Sequence, residues 1–249
     1  MNLQLMETGN NLPFSKPYSE CKISVFFSKD GYSFIVSDLN DGSVLYESQF
    51  VAFKKNSSYQ LSFEESLMSY PYLRNEFGEE ELILNVEKYT FVPSEFFSVD
   101  MVNKYYTFNL GEPDSKEGVF YSLVDSLQMY VIFAYDKAFI DLLENIFPQA
   151  QFTPGISLFI DRCDEKGREL MNAVFARIKK NVLEVIVYKS MKFAMANTFR
   201  FVNVKDAEYF LLKAYYNFGF DNSIVPVYLE SDMELPDIGD FVKTINFER

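Results

Sequence analysis

Between residues 22 and 51 apolar side chains recur at every second position, which is the period of a half-buried strand. Ile23, Val25 and Phe27 share one face, Phe34 and Val36 continue it, and Val44, Tyr46 and Phe50 follow. Asp30-Gly31 and Asp41-Gly42 interrupt the pattern. Both are tight-hairpin signals, because glycine readily takes the positive φ that such turns need. The spacing therefore predicts an antiparallel meander of three strands, at 22–28, 32–39 and 43–51.

About 150 residues later the arrangement recurs, with strands expected at 172–178, 182–189 and 192–199 and a Lys179-Lys180-Asn181 turn after the first. Here Leu183, Val185 and Val187 alternate with Val182, Glu184, Ile186 and Tyr188. Apolar residues on both sides of one strand imply a sheet covered on both faces. Each triplet leads into a helical segment and another short apolar strand. In the first copy Ser62 and Glu65 have capping-box spacing, so a helix is expected to begin at Phe63 and fray near Pro71. Strands at 82–86 and 88–92 follow, then a short helix from Pro93 over 95–97 that continues toward Tyr106. In the second copy Asn203 and Asp206 open a helix in which Val204, Ala207, Leu211, Tyr215 and Phe218 keep helical spacing. Gly219 ends it, and a strand at 225–229 follows.

Residues 111–118 form a polar, hinge-like stretch between the copies. After it come paired strands at 119–124 and 128–134, and a helix capped by Asp136 and stopped by Pro148. A second helix at 155–166 is ended by Gly167. The domain expectation is an N-terminal arm (1–20), a first half (21–110), connecting strands and helices (111–170) and a second half (171–249). Two such halves would enclose a cleft. The likeness lies in the order of elements rather than in identities, so a β-rich α+β protein without duplication is the competing architecture.

Composition narrows the chemistry. Among 249 residues there are 36 acidic and 23 basic side chains, a formal charge of −13. That field disfavours nucleic acid and anionic membrane surfaces, and the basic residues form no local patch. With no histidine, Ser-His-Asp and Cys-His mechanisms and His-based metal sites are excluded. Cys21 and Cys163 are far apart and form no CxxC, which rules out a zinc cage. Two buried thiols in a reduced, cytoplasmic protein are the simplest expectation, with one long-range disulfide the other pairing open to them. The first eleven residues lack the pattern of a signal peptide, and the longest apolar run, 129–135, is too short to span a bilayer.

Three passages carry a family resemblance. They are the run from Lys22-Ile23-Ser24-Val25 through Lys29-Asp30-Gly31-Tyr32-Ser33-Phe34, then Phe91-Val92-Pro93-Ser94-Glu95-Phe96-Phe97, and Pro226-Val227-Tyr228-Leu229. Together with the tandem strand-strand-strand-helix-strand order over most of residues 20–232, they resemble a bacterial family, found mainly in Bacteroidetes, with a divergent form of the actin-like ATPase fold. The wider superfamily includes sugar kinases, heat-shock chaperones and actin. The resemblance implies a mixed α/β (α+β) fold of two duplicated βββαβ units with a cleft between them. The family has no established activity to carry over.

Active members of the superfamily hold nucleotide with one phosphate-facing hairpin from each half, built from an acid near the metal, Gly, and Ser or Thr. In the first half Asp30, Gly31 and Ser33 are the matching residue types, although Asp30-Gly31 is equally a plain hairpin turn. The matching turn of the second half is Lys179-Lys180-Asn181, without acid or glycine. Where the superfamily carries a Gly-Gly pair against adenosine, this chain has Leu229-Glu230-Ser231-Asp232. Two of three nucleotide features are missing. The expectation is a non-catalytic protein that acts through protein–protein contacts, with a homodimer one candidate assembly, and without cofactor, metal, nucleic acid or membrane. The alternative is a nucleotide-dependent phosphotransferase of sugar-kinase type. It would use Asp30 near the metal, Gly31 and Ser33 at the phosphates, and Lys179 and Lys180 as unusual phosphate contacts.

Other features point more readily to structure. Glu79-Glu80-Glu81 reads as a solvated flank before a strand rather than a metal site. Asp161, Asp164 and Glu165 read as an exposed helix face rather than a weak cation site. Asp232, Glu234, Asp237 and Asp240 do not have calcium-loop spacing. The 27 Phe and 17 Tyr exceed what a core of this size needs. Phe96-Phe97, Tyr105-Tyr106 with Phe108, and Tyr215-Tyr216 with Phe218 are therefore expected to contribute an exposed apolar patch of the kind that marks a protein interface.

Overall fold

The computed structural model describes residues 15–54, 58–231 and 242–247. The chain divides into two compact units, each made of two segments. The first takes the chain up to Asn85 together with Asp136–Thr153, and the second takes Val86–Tyr135 and the chain from Pro154 onward.

The first unit opens with strands β1 (Cys21–Ser28), β2 (Gly31–Asp38), β3 (Val44–Glu47) and β4 (Val51–Ala52), then helix α1 (Tyr59–Ser66) and β5 (Glu79–Leu84). Within the second unit follow β6 (Tyr89–Pro93), α2 (Val102–Leu110), β7 (Glu117–Val124) and β8 (Met129–Asp136). The first unit is completed by α3 (Lys137–Ile146) and β9 (Gln151–Pro154). The second continues through α4 (Gly155–Glu169), β10 (Asn172–Lys179), β11 (Val182–Lys189), β12 (Lys192–Arg200), α5 (Val204–Phe218), β13 (Val227–Ser231) and β14 (Thr244–Asn246).

In the first unit the main sheet has the order β3-β2-β1-β5-β9. β1 and β2 are antiparallel from Cys21↔Asp38 to Ser28↔Gly31, and β5 joins β1 in parallel. The period-two pattern sends Ile23, Val25, Phe27, Phe34, Val36, Leu82 and Leu84 into the core. Phe63 of α1 and Phe139 of α3 close over them, Phe63 4.8 Å from the Tyr32 ring and Phe139 5.4 Å from Phe27, both edge to face. Much of the aromatic excess is spent here.

Three local expectations are corrected in this unit. The strand expected at 43–51 is two short pieces, because Ser48 takes over the ladder at Phe34. Its hydroxyl accepts the Phe34 amide and its own amide donates to the Phe34 carbonyl. Helix α1 starts a turn earlier than Phe63, since Ser58 accepts the Leu61 amide as N-cap. Finally, Glu79-Glu80-Glu81 belongs to β5 itself. Lys22 on the neighbouring strand reaches Glu79 and Glu81 at 3.0 and 3.1 Å, while Glu80 turns inward and is buried.

The second unit repeats the order of the first. β10 and β11 are antiparallel from Asn172↔Lys189 to Lys179↔Val182, β12 pairs antiparallel with β11, and β13 joins β10 in parallel. The five strands run β12-β11-β10-β13-β14. As the two-sided pattern predicts, the sheet is covered on both faces. Val174, Ala176, Ile178, Leu183, Val185, Val187, Val227 and Leu229 pack against Ala207, Leu211, Ala214 and Tyr215 of α5. On the opposite face, Phe175 and Tyr188 lie with Phe159 and Cys163 of α4 among the buried residues.

Helix α4 runs through Gly167, which was expected to end it. A Cβ there would come within 2.6 Å of the Tyr188 ring, so this glycine serves close packing and not termination. Asn203 and Asp206 form a complete capping box on α5, and Gly219 closes it at φ 67°. A three-stranded sheet, β6-β8-β7, carries α2 on one face through Val92, Val102, Tyr106 and Ile132. The helix expected from Pro93 is instead two 3-10 turns, Ser94–Phe96 and Val99–Met101, before α2. Among the described residues no helix is long and apolar enough to cross a membrane.

Candidate functional site

In both units the turn between the first two strands lies where the parallel neighbour also ends, because β5 and β13 run alongside β1 and β10 up to Phe27↔Leu84 and Ile178↔Ser231. Ligands of open α/β sheets collect at such carboxyl ends. Of the site residues expected from the sequence, Asp30 and Lys180 lie in these turns, Gly31 and Lys179 are the strand residues that flank them, and Ser33 sits two residues further along β2.

The first turn is closed by its own side chains and by β4. The Ser28 hydroxyl donates to the Gly31 carbonyl (3.1 Å) and accepts the Asp30 amide (3.4 Å). The Phe53 amide donates to the Asp30 carbonyl at 2.8 Å. Gly31 pairs with Ala52, and a Cβ on Gly31 would lie 2.1 Å from the Val51 carbonyl oxygen and 2.8 Å from Cζ of Phe50. Glycine is required here by the approach of a protein strand. Ser33 is a ladder residue opposite Phe26, half-buried, on the face away from Tyr32 and Phe34.

The second turn has the same backbone device with different side chains. The Phe201 amide donates to the Asn181 carbonyl at 3.0 Å, matching Phe53 and Asp30. Lys179 pairs with Val182, and Lys180 takes φ 51°, a left-handed conformation, without being glycine. Both lysines are exposed.

At the end of β13, Glu230 is buried and ion-paired with Arg162 of α4, whose guanidinium lies 5.5 Å from the Phe159 ring centroid and 5.4 Å from that of Phe247. Next to it on the sheet, Arg177 pairs with Glu184, donates to the Gly155 carbonyl and stacks 4.4 Å from the Phe159 ring centroid. These two ion pairs form a polar layer between α4 and the sheet, in which both glutamates are buried and both arginines partly so. A desolvated pair stabilises little in net terms, but removing one partner leaves an uncompensated charge and costs about 3–5 kcal/mol. Sequence reasoning missed this layer. Its one visible signal was a glutamate at position 184 inside an otherwise apolar strand.

The remaining candidates resolve into structure. Asp161 and Glu165 are exposed, as a solvated helix face requires, and Asp161 accepts from Ser126. Asp164 is buried between the Tyr188 hydroxyl (2.7 Å) and Arg168 (2.6 Å), which corrects its assignment to an exposed face. Both cysteines are free and buried, and burial pushes both thiols up, so they are poor nucleophiles. Among the aromatics, Tyr106 and Tyr215 are core residues, while Phe96, Phe108 and Tyr216 are 67, 89 and 86% exposed. The C-terminal acids Asp232, Glu234, Asp237 and Asp240 lie outside the described residues. Among those described, no three metal-ligating side chains converge.

No curated protein matches this sequence. Among solved structures, a Bacteroides thetaiotaomicron protein with an actin-like ATPase fold and unknown function superposes with a TM-score of 0.83. It is 17% identical, and the match covers 91% of this chain and 90% of that one. The PilM-PilN type IV pilus biogenesis complex matches with a TM-score of 0.54 at 8% identity, over 92% of this chain and 89% of that one. At these identities the likeness shows the fold, which is actin-like. The family model described as "Protein of unknown function (DUF3822)" matches residues 15–240, so the chain belongs to the DUF3822 family.

Proposed function

We propose that this chain is an actin-like-fold protein with a degenerate nucleotide site, working through contact with a protein partner and not through catalysis. One observation carries the reading: the Asp30-Gly31 turn spends its polar backbone inside the protein. The Asp30 amide goes to Ser28, the Asp30 carbonyl takes the Phe53 amide, and β4 fills the space beside Gly31. A phosphate cradle needs those amides pointing at the ligand. The second turn offers Lys179 and Lys180, which attract phosphate but repel Mg²⁺, and at the end of β13 a buried, ion-paired Glu230 replaces small residues.

Exposed Phe96, Phe108 and Tyr216 supply the large apolar side chains that interfaces favour. Assembly with a second protein is also compatible with the fold, as the PilM-PilN complex illustrates for its own chains. Isothermal titration with ATP and ADP in the presence of Mg²⁺ is the test. The expected result is no saturable binding below millimolar concentration. Micromolar binding would overturn the proposal in favour of a sugar-kinase-type phosphotransferase, in which Asp30→Asn should abolish turnover.

A further inference from the structure

Edge strands invite pairing with a foreign chain, and proteins usually blunt them. Most of the edges here follow that rule. β3 has four residues and a register shift against β2, β4 has two, and β14 has three. β6 and β9 are short and end in Pro93 and Pro154. β12 is long but bears Lys192 and Arg200 at its two ends and pairs with β11 through a register shift. β7 has none of these devices. It is eight residues long, without proline, lysine or arginine, and Glu117 at its first position is its one charge. It is the last strand of the order β6-β8-β7, and among the described residues no strand pairs with its outer edge. From Glu117 to Leu123 none of its residues is buried.

Alternation puts Val119, Tyr121 and Leu123 on one face of β7. Val119 packs with the α2 cluster, whereas Tyr121 and Leu123 are 42 and 39% exposed. The half-buried rings of Phe97 and Tyr130 lie 5.0 and 5.9 Å from that of Tyr121 and stack on each other at 3.7 Å. Phe96, next in the chain to Phe97, is largely exposed. An open strand edge and an aromatic surface thus meet at one place. Both suit the same occupant, a strand laid along β7 with alternate side chains on those rings.

Charge selects among such strands. Residues 94–125 hold six acids and two lysines. At one end of β7 stand Lys116 and Glu117, whose carboxylate accepts the Asp114 amide at 3.1 Å. Exposed Asp125 follows the other end, where Ser126 donates to exposed Asp161 at 2.5 Å. Arg168 also reaches the Ser126 carbonyl, but its charge is matched by Asp164. Two-fold antiparallel pairing with a second copy of β7 would bring the Glu117 end of one chain against the Asp125 end of the other, with Lys116 alone to offset the acids. Lysine or arginine at both ends of an incoming strand is the complementary arrangement.

We propose that β7 is a docking edge for an extended segment of another protein, apolar or aromatic at alternate positions and flanked by lysine or arginine, a proposal that rests on the partner-binding function and adds its surface and the chemistry of its partner. The main chain of that segment extends the β6-β8-β7 ladder by one strand. Its alternate side chains cover Tyr121, Leu123 and Phe97.

The test is an amide NMR titration of the full chain with the blocked peptide Lys-Lys-Val-Thr-Tyr-Thr-Val-Lys-Lys. One control has glutamate for every lysine; the other has proline for both threonines, which removes main-chain donors. Saturable shifts at residues 117–124 and Phe97, with slowed hydrogen exchange in β7, are expected with the lysine peptide. Either control should bind at least about tenfold more weakly, which is 1.4 kcal/mol. Leu123→Lys puts a gatekeeping cation on the edge and should weaken binding about tenfold. Asp125→Lys, just outside the strand, should weaken it severalfold even if the first variant fails to fold. No shifts at millimolar lysine peptide, an equal response to either control, or unchanged affinity in both variants would overturn this docking edge, while the ATP titration decides the function separately. A concentration-dependent dimer that Leu123→Lys abolishes would also overturn it, in favour of a second copy.

Discussion

Gly31→Ala separates the two meanings of a glycine in this turn. If Gly31 were there to let phosphate approach, the substitution would harm ligand binding and leave stability nearly untouched. The geometry gives the opposite result. The added Cβ meets the Val51 carbonyl oxygen at 2.1 Å and the Cα of Ala52 at 2.9 Å, both backbone atoms that move only if β4 moves. Overpacking of this kind costs about 1–3 kcal/mol. The backbone at φ 157° adds a strain of roughly 1–2 kcal/mol for a residue with a Cβ. Together these give about 2–5 kcal/mol, a substantial part of the stability of an ordinary domain.

Gly42→Ala is the internal control, because Gly42 has φ 72° but nothing within 4 Å of its would-be Cβ. It carries only the conformational cost of a Cβ in the left-handed region, about 1–2 kcal/mol. Urea unfolding followed by far-UV circular dichroism and tyrosine fluorescence reads both variants, the chain having no tryptophan. Gly31→Ala should be the less stable by about 1–3 kcal/mol, the steric term alone. Equal stabilities, within about 0.5 kcal/mol, would refute the packing argument and return Gly31 to the list of ligand residues.

Two further outcomes follow from the same geometry. Ser58→Ala should destabilise the first unit by about 1 kcal/mol through loss of the α1 cap. Ser62→Ala should cost less or even stabilise, since the Ser62 hydroxyl is buried without a partner among the described residues; the reverse order in thermal melts would restore the capping box read from Ser62 and Glu65. Alkaline pH should also unfold the protein. Burial pushes Tyr32 up to about 12, against the opposing hydrogen bond with Ser66, and drives Tyr89, Tyr188 and Tyr215 upward as well. Above about pH 10 the unfolded chain releases protons that the native state retains, so stability falls as pH rises toward 12. Absorbance at 295 nm should show a late cooperative phase coincident with loss of far-UV circular dichroism; complete tyrosine titration with the fold intact would contradict it.

The strand triplets were legible because a half-buried strand has a period of two, and that period survives in the sequence wherever one face meets a core. Residues 182–189 match β11 at both ends for this reason. The helix opened by Asn203 and Asp206 was legible because capping is a contact within one turn of chain. The charge balance and the lack of histidine likewise exclude whole classes of chemistry from the sequence itself.

Other features depend on neighbours distant in sequence, which no local pattern records. Ser48 breaks the third strand by bonding Phe34, fourteen residues earlier. Gly167 stays inside α4 because the Tyr188 ring leaves no room for a Cβ, although in isolation it looks like a helix terminator. Glu80 and Glu81 are adjacent in an acidic run, yet strand pleating turns one into the protein and the other toward Lys22. The same holds at the turn that first suggested a nucleotide. Sequence alone identified Asp30 and Gly31 as a hairpin with residue types fit for phosphate. Only the tertiary structure brought β4 and Phe53 against that hairpin and committed its backbone to the protein's own hydrogen bonds. A turn's conformation is set by the few residues within it, whereas what the turn faces is set by whichever strand packs beside it.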